Sequence, residues 1–209
     1  GGASSVPVPR RREIARTPGR PRRAMGRPKR DNAWCMAICL LGNGLHDAGH
    51  YEDALSVKEA ELSMRRRLGD SESNILAAQN NLANTYGRLG RFDEAVSMRR
   101  DVYSRRLALN GEEHKETLCA ALNYANSLID LRRFAVAKAL SCKTIPVARR
   151  VLGESNDLTL KMRGNYAAAL FRDPGATLDD LREAVTTLED AARISRRVLS
   201  NTETEAIEY

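Results

Sequence analysis

Aromatic side chains are scarce: 3 Phe, 6 Tyr and 1 Trp make up 5% of the 209 residues. Sheet sandwiches lean on more large rings than that, whereas Ala- and Leu-rich helix pairs pack without them. Histidine is scarce too. His46 and His50 lie four apart, but Gly49 breaks any helix that would bring them together, and His114 falls in a linker, so no metal pair is expected. The 4 cysteines (Cys35, Cys39, Cys119, Cys142) form no CxxC and have no His at ligand spacing. They sit in apolar or Ala-rich runs, as reduced, partly buried thiols of a reducing compartment do. No apolar run approaches the ~20 residues that span a bilayer, and no secretory signal opens the chain. A cytoplasmic protein is expected. No Gly-rich phosphate loop follows a strand, and the acidic pairs Glu112-Glu113 and Asp179-Asp180 read as helix starts favoured by the helix dipole. The expectation is a protein with no catalytic site, no cofactor, no metal and no small-molecule substrate.

A net charge of +7 suggests a nucleic-acid binder at first sight, but its distribution argues otherwise. Residues 1–30 hold ten Lys or Arg against the single acid Glu13, which leaves 31–209 with 24 basic and 26 acidic residues. This first segment is rich in Arg, Pro and Gly and has no hydrophobic period, so it is expected to be a disordered tail. A transit peptide, a nuclear signal, a polybasic arm for anionic surfaces, and no role at all are the readings open to it. The opening Gly-Gly, without Met, points to a fragment or a misplaced gene boundary.

What the chain has in place of these is a repeat. LANTYGRLGRFDEAV at 82–96 is echoed by LGNGLHDAGHYEDAL at 41–55 and YANSLIDLRRFAVAK at 124–138. A fourth copy is split, YAAALF at 166–171 and LREAV at 181–185, by an insertion containing Pro174-Gly175. Asn81, Asn123 and Asn165 are spaced 42 apart, as are Leu76, Leu118 and Leu160. A period of this length means stacked supersecondary units.

Each unit reads as two helices. In the second, Ile75, Ala78, Leu82, Ala83, Tyr86 and Leu89 recur at helical spacing. Gly90 supplies the left-handed residue that ends helix A. Helix B follows with Phe92, Ala95, Val96, Val102, Tyr103 and Leu107 inward, and Asn110-Gly111 closes it. Ala83 and Ala95 let the two helices approach, while Tyr86 and Phe92 fill the space around the turn. Trp34 is expected to cover the open end of the first unit, which is degenerate at Gly42, Gly44 and His46. The domain plan is a tail (1–30), four repeats (about 33–73, 74–115, 116–157 and 158–200), and a C-terminal tail or truncated next helix (201–209). NTETEAIEY is too short for the polar capping helix that ends a solenoid, so a partial array is expected.

The order Leu, small residue, Tyr, Gly, aromatic, Ala resembles a tetratricopeptide repeat, lengthened from the usual ~34 residues by about two turns of helix B. NNLANTYGRLGRFDEAV (80–96), RRLALNGEEHKETL (105–118), ARRVLGESNDLTL (148–160) and RRRLGDSESNIL (65–76) are similar to the kinesin light chain type. The likeness covers roughly 33–200. It implies an all-α right-handed solenoid of antiparallel helix pairs with helix A lining a concave groove, and a scaffold that binds a protein or peptide segment there.

On helix A the polar positions left over recur as Asn81, Asn123 and Asn165, with Asn84 and Asn126 three residues on and so on the same face. Asn amides both donate and accept. They suit an extended peptide backbone, and equally suit tying one repeat to the next. Arg88, Arg172 and Lys161 would select an acidic peptide, although Asp130 interrupts the positive track. Nucleic acid is not expected except through the tail. Open solenoid ends also allow self-association.

Overall fold

The computed structural model describes residues 29–207, with side chains from 33 to 198, and residues 1–28, where most of the expected tail falls, lie outside it. Eight helices follow one another among the described residues: α1 (Lys29–Asp47), α2 (Tyr51–Arg67), α3 (Glu72–Arg88), α4 (Phe92–Asn110), α5 (Lys115–Asp130), α6 (Phe134–Leu152), α7 (Asp157–Phe171) and α8 (Leu178–Ile207). The segment set apart at 201–209 belongs largely to α8, which runs without a break to Ile207.

Local chemistry sets the ends. α3, α5 and α7 begin on side-chain caps. Ser71 accepts from Asn74 N–H (3.2 Å), His114 Nδ1 from Glu116 N–H (3.2 Å), and Asn156 from Leu158 N–H (2.9 Å), each satisfying an orphan donor of the first turn. The short turns from odd to even helices share one backbone motif. Gly90 N–H bonds Gly87 O and Arg91 N–H bonds Tyr86 O, with matching bonds at Gly49/His50 and Arg132/Arg133. This six-to-one closure needs a left-handed residue. Gly49 and Gly90 supply it at φ 84° and 73°, but the third turn uses Arg132 at φ 59°. In the fourth pair a capping box replaces the motif: Thr177 Oγ1 accepts from Asp180 N–H (3.1 Å), and the Asp180 carboxylate accepts from Thr177 N–H (2.9 Å). The Thr177 hydroxyl, donating to the Asp180 carboxylate at 2.6 Å, and then the Thr177 N–H hold that carboxyl below its ordinary pKa.

Within a pair the helices meet over small side chains. Ala83, Ala125 and Ala167 on the odd helices and Ala95, Ala137 and Ala184 on the even ones are all nearly or fully buried, and Ala167 packs with Ala184 in one cluster. Gly42 stands at the same position in α1, where a Cβ would come within 3.0 Å of Lys58 Cγ. The apparent degeneracy there is thus a close helix contact.

Between pairs, an even helix packs on the next odd one. Leu62 joins Ala78, Leu82 and Tyr86 in one cluster, and Ile145 packs on Met162 in another. Buried cations reinforce two of these junctions. Lys58 Nζ donates to Asn81 O (3.3 Å) and Thr85 Oγ1 (3.2 Å), and Arg99 donates to Asn123 O (2.9 Å), Ser127 Oγ (2.8 Å) and Asn84 Oδ1. At the third junction the equivalent positions are Ser141 and Ala169, both buried. The cation and the hydroxyl are lost together.

The curvature follows from which layer is in contact with itself. α1 touches α3, α3 touches α5, and α5 touches α7, whereas no two of α2, α4, α6 and α8 touch. The odd helices are therefore the inner, concave layer and the even helices the outer one.

Candidate functional site

The inner layer carries the polar row, and the asparagines on it do two things. Asn123 Nδ2 donates to Asn80 Oδ1 (3.0 Å), and Asn165 Nδ2 donates to Asn126 Oδ1 (2.5 Å), so neighbouring odd helices are tied amide to amide. Asn84 receives the buried Arg99. Asn81 contributes its backbone carbonyl to Lys58. Since one amide has two N–H donors and an acceptor oxygen, a single tie leaves polar atoms for a ligand.

Two adjoining depressions run along the C-terminal ends of the inner helices. The first, about 480 Å³, is lined by His46, Asn84, Arg88, Phe92, Asn126 and Asp130 among others. The second, about 420 Å³, is lined by Phe92, Ile129, Asp130, Arg132, Phe134 and Arg172. They share Phe92 and Asp130, so the chain presents one trough with Arg88 towards one end, Arg172 towards the other, and an acid between. A third hollow, about 230 Å³, lies nearer the N-terminal ends of α3 and α5 and includes Asn80, Asn123 and Lys115. Lys161 is elsewhere: it is exposed near the start of α7 and pairs with Asp157, one turn earlier, at 2.7 Å.

His46 sits at the first end of the trough with Nδ1 3.2 Å from Thr85 Oγ1 and its ring edge-on to Tyr51. Burial, and then the nearby Lys58 charge, push its pKa below the ordinary histidine value. Burial likewise lowers the pKa of Lys58.

Several trough residues were not singled out for binding by the sequence. Phe92 reads as a core aromatic from its place after the turn, yet it is 37% exposed while its counterpart Phe134 is buried. Asp130 looked like an interruption and is instead shared by both depressions. Arg99 had a sequence signal: Lys58 and Arg99 stand 41 apart, and Thr85 and Ser127 stand 42 apart. Trp34 does not seal the first pair, being 59% exposed. No group of His, Cys, Asp or Glu suited to a metal occurs among the described residues, and no described helix is long and apolar enough to cross a membrane.

Stacked helix pairs of this kind generally serve as protein–protein interaction scaffolds. Residues 35–108 match the tetratricopeptide repeat family model. That match covers most of the first two helix pairs, and the array as a whole shares the fold of solved TPR-like repeat structures. Among solved structures the chain is similar to BtubC (BKLC) of P. vanneervenii, with a TM-score of 0.68 and 20% identity over 81% of this chain. It spans 65% of that protein's length, just under two thirds. Two structures of a Podosopora anserina kinesin light chain-like protein with nearly identical TPR-like repeats match at TM-scores of 0.67 and 0.64. Both are 18% identical; the alignments cover 79% and 78% of this chain and 76% of each of those chains. No curated protein matches the chain by sequence.

Proposed function

We propose that the chain is a binding protein, not a catalyst, and that its inner trough holds an extended peptide segment of a protein partner. The observation that carries this reading is the pair of adjoining depressions sharing Phe92 and Asp130, with Arg88 in one and Arg172 in the other. An extended strand rises about 3.3 Å per residue, so a few residues laid along the trough would meet amides, an aromatic face and charges in turn. Asn84 and Asn126 are suited to the peptide backbone, and Phe92 offers an apolar anchor. Arg88 and Arg172 favour acidic side chains. Asp130 between them favours a basic one, so an acidic–basic–acidic order replaces a purely acidic ligand. Asn123 and Asn165 act mainly by holding the inner helices in register, Asn81 gives its backbone carbonyl to Lys58, and Lys161 stands apart from the trough.

The test is a peptide-display selection on the full chain, followed by binding measurements with Arg88→Glu, Arg172→Glu and Asp130→Lys. All three side chains are exposed, so the substitutions disturb no packed core, and circular dichroism checks the fold of Asp130→Lys, whose lost charge also favours the buried Arg99. Each charge reversal should weaken selected peptides by about tenfold or more, roughly 1.4 kcal/mol, and restore binding to peptides with the matching charge reversed. Peptides indifferent to all three substitutions would place the site elsewhere. Binding carried instead by the basic residues of 1–30 would collapse with rising salt and vanish when that segment is removed.

A further inference from the structure

One position of the inner helices changes character in the first repeat. Counting on from His46 by 41 residues and then twice by 42 gives Gly87, Ile129 and Phe171. His46 and Gly87 line the first depression and Ile129 the second. The position thus recurs along the trough, and His46 is the one copy of it that can carry a charge. His50 and His114, the other two histidines of the chain, line neither depression. His50 lies in the turn before α2, and His114 caps α5.

The hydrogen bonds around this ring decide what a proton on it costs. Thr85 Oγ1 lies 3.2 Å from His46 Nδ1, 3.2 Å from Lys58 Nζ and 3.5 Å from Asn81 O. An ammonium only donates, so Lys58 takes one lone pair of the hydroxyl, whose own proton goes to His46 Nδ1. A neutral His46 accepts it there and keeps its proton on Nε2. A charged His46 must donate from Nδ1. That sets two cations on one hydroxyl oxygen and turns the Thr85 proton to the more distant Asn81 O. Burial first, and then the Lys58 charge from α2, disfavour the imidazolium; Arg88 on α3 adds to this, and Asp47 on the same helix opposes it. Arg99 and Asp130, of opposite sign, also line the depression, and Tyr51 meets the ring edge-on. An anion placed beside the ring would reverse the balance.

We propose that an acidic group of the bound segment, held by Arg88, also draws a proton onto His46, so that the trough grips acidic partners more tightly as the medium acidifies. This rests on the trough being the peptide site. His46 and Arg88 line the same depression, and a carboxylate between them is matched by both cations. Nδ1 stays with Thr85, and Nε2 is the nitrogen that meets the ligand. Because the partner stabilises the charged ring, binding takes up a proton. Affinity therefore rises as pH falls through the ordinary histidine value of ~6.5.

The test uses the full chain and N-acetylated, display-selected peptides that contain Asp or Glu but no His or Cys, and whose binding Arg88→Glu weakens. Their carboxylates stay ionised from about pH 5.5 to about pH 8, so a change in affinity over that range comes from the protein. Affinity measured by calorimetry should tighten by roughly three- to tenfold from the upper to the lower end. Repeating the titrations in buffers of different ionisation enthalpy should show proton uptake on binding. His46→Gln keeps a polar group for Thr85 and should abolish both the tightening and the uptake. Exchanging the peptide's acidic residues one at a time for their amides should do the same at one position. Affinity independent of pH overturns the proposal, and so does a pH dependence that survives His46→Gln. Selected peptides indifferent to Arg88→Glu would overturn the trough reading itself, and this inference with it.

Discussion

Arg99 is the side chain on which the middle of the array depends most, and the repeat itself supplies the control for testing it. Its guanidinium is buried and donates to Asn123 O at 2.9 Å, to Ser127 Oγ at 2.8 Å and to Asn84 Oδ1, joining α4 to α3 and α5. Burial lowers the Arg99 pKa, with the Asp130 charge acting against that, so part of the bonding offsets desolvation. Hydrogen bonds to charged groups contribute about 1.5–3 kcal/mol each before that cost. Arg99→Ser removes three and leaves a void beside the Ser127 hydroxyl and the Asn84 amide, a net loss of about 2–4 kcal/mol. Ser127→Ala alone should cost about 1 kcal/mol. The double variant recreates the Ser141/Ala169 junction and should cost about 1 kcal/mol less than the sum of the two. Because stability in a stacked array is a sum of local and nearest-neighbour terms, the loss falls between α4 and α5. Urea unfolding followed by far-ultraviolet circular dichroism should therefore broaden into two steps in Arg99→Ser. A loss below about 0.5 kcal/mol, or additivity of the pair within about 0.5 kcal/mol, would refute the claim that this cation and hydroxyl form one unit.

Two other outcomes follow from single residues. Arg132 holds the left-handed conformation that Gly49 and Gly90 hold at the equivalent turns; Arg132→Gly should relieve strain of about 1–2 kcal/mol. Part of that is returned to the unfolded chain's entropy, for a net gain of about 0.5–1 kcal/mol. A lower thermal midpoint would contradict this. The lowered pKa of His46, caused by burial and the Lys58 charge with Arg88 adding to it and Asp47 opposing, means the folded state binds this proton less readily than the unfolded chain. Its contribution is complete above the ordinary histidine pKa of ~6.5 and is lost as pH falls from there through the folded value. His46→Gln should flatten stability against pH in that window, measured by urea titrations at a series of pH values; a profile parallel to the parent's would exclude His46 as the cause.

The fold was readable because a repeat states the same instruction several times. The 42-residue spacing of Asn81, Asn123 and Asn165, the alanines at each helix contact and the glycines at the turns all express local geometry. Small residues mark where two helices touch, and left-handed residues mark where a helix must end. The site was less readable. Arg88, Arg172, Asn84 and Asn126 were visible as leftover polar positions, and they do line the trough. The same spacing could not say that Asn123 and Asn165 would bond to amides on the neighbouring helix, because partners 39 and 43 residues apart are brought together only by the pitch of the stack. Phe92 and Phe134 occupy the same repeat position, yet one is exposed and the other buried, which depends on what each neighbouring pair offers to cover it.

By itself the sequence determined the secondary structure, the pairing of helices and the existence of a layered array, since these rest on contacts within about one repeat. Only the tertiary structure decided the curvature, which odd and even layer faces inward, and how Arg88, Asp130 and Arg172 come to share one trough. Those properties come from small displacements accumulated between successive pairs, and no single repeat encodes them.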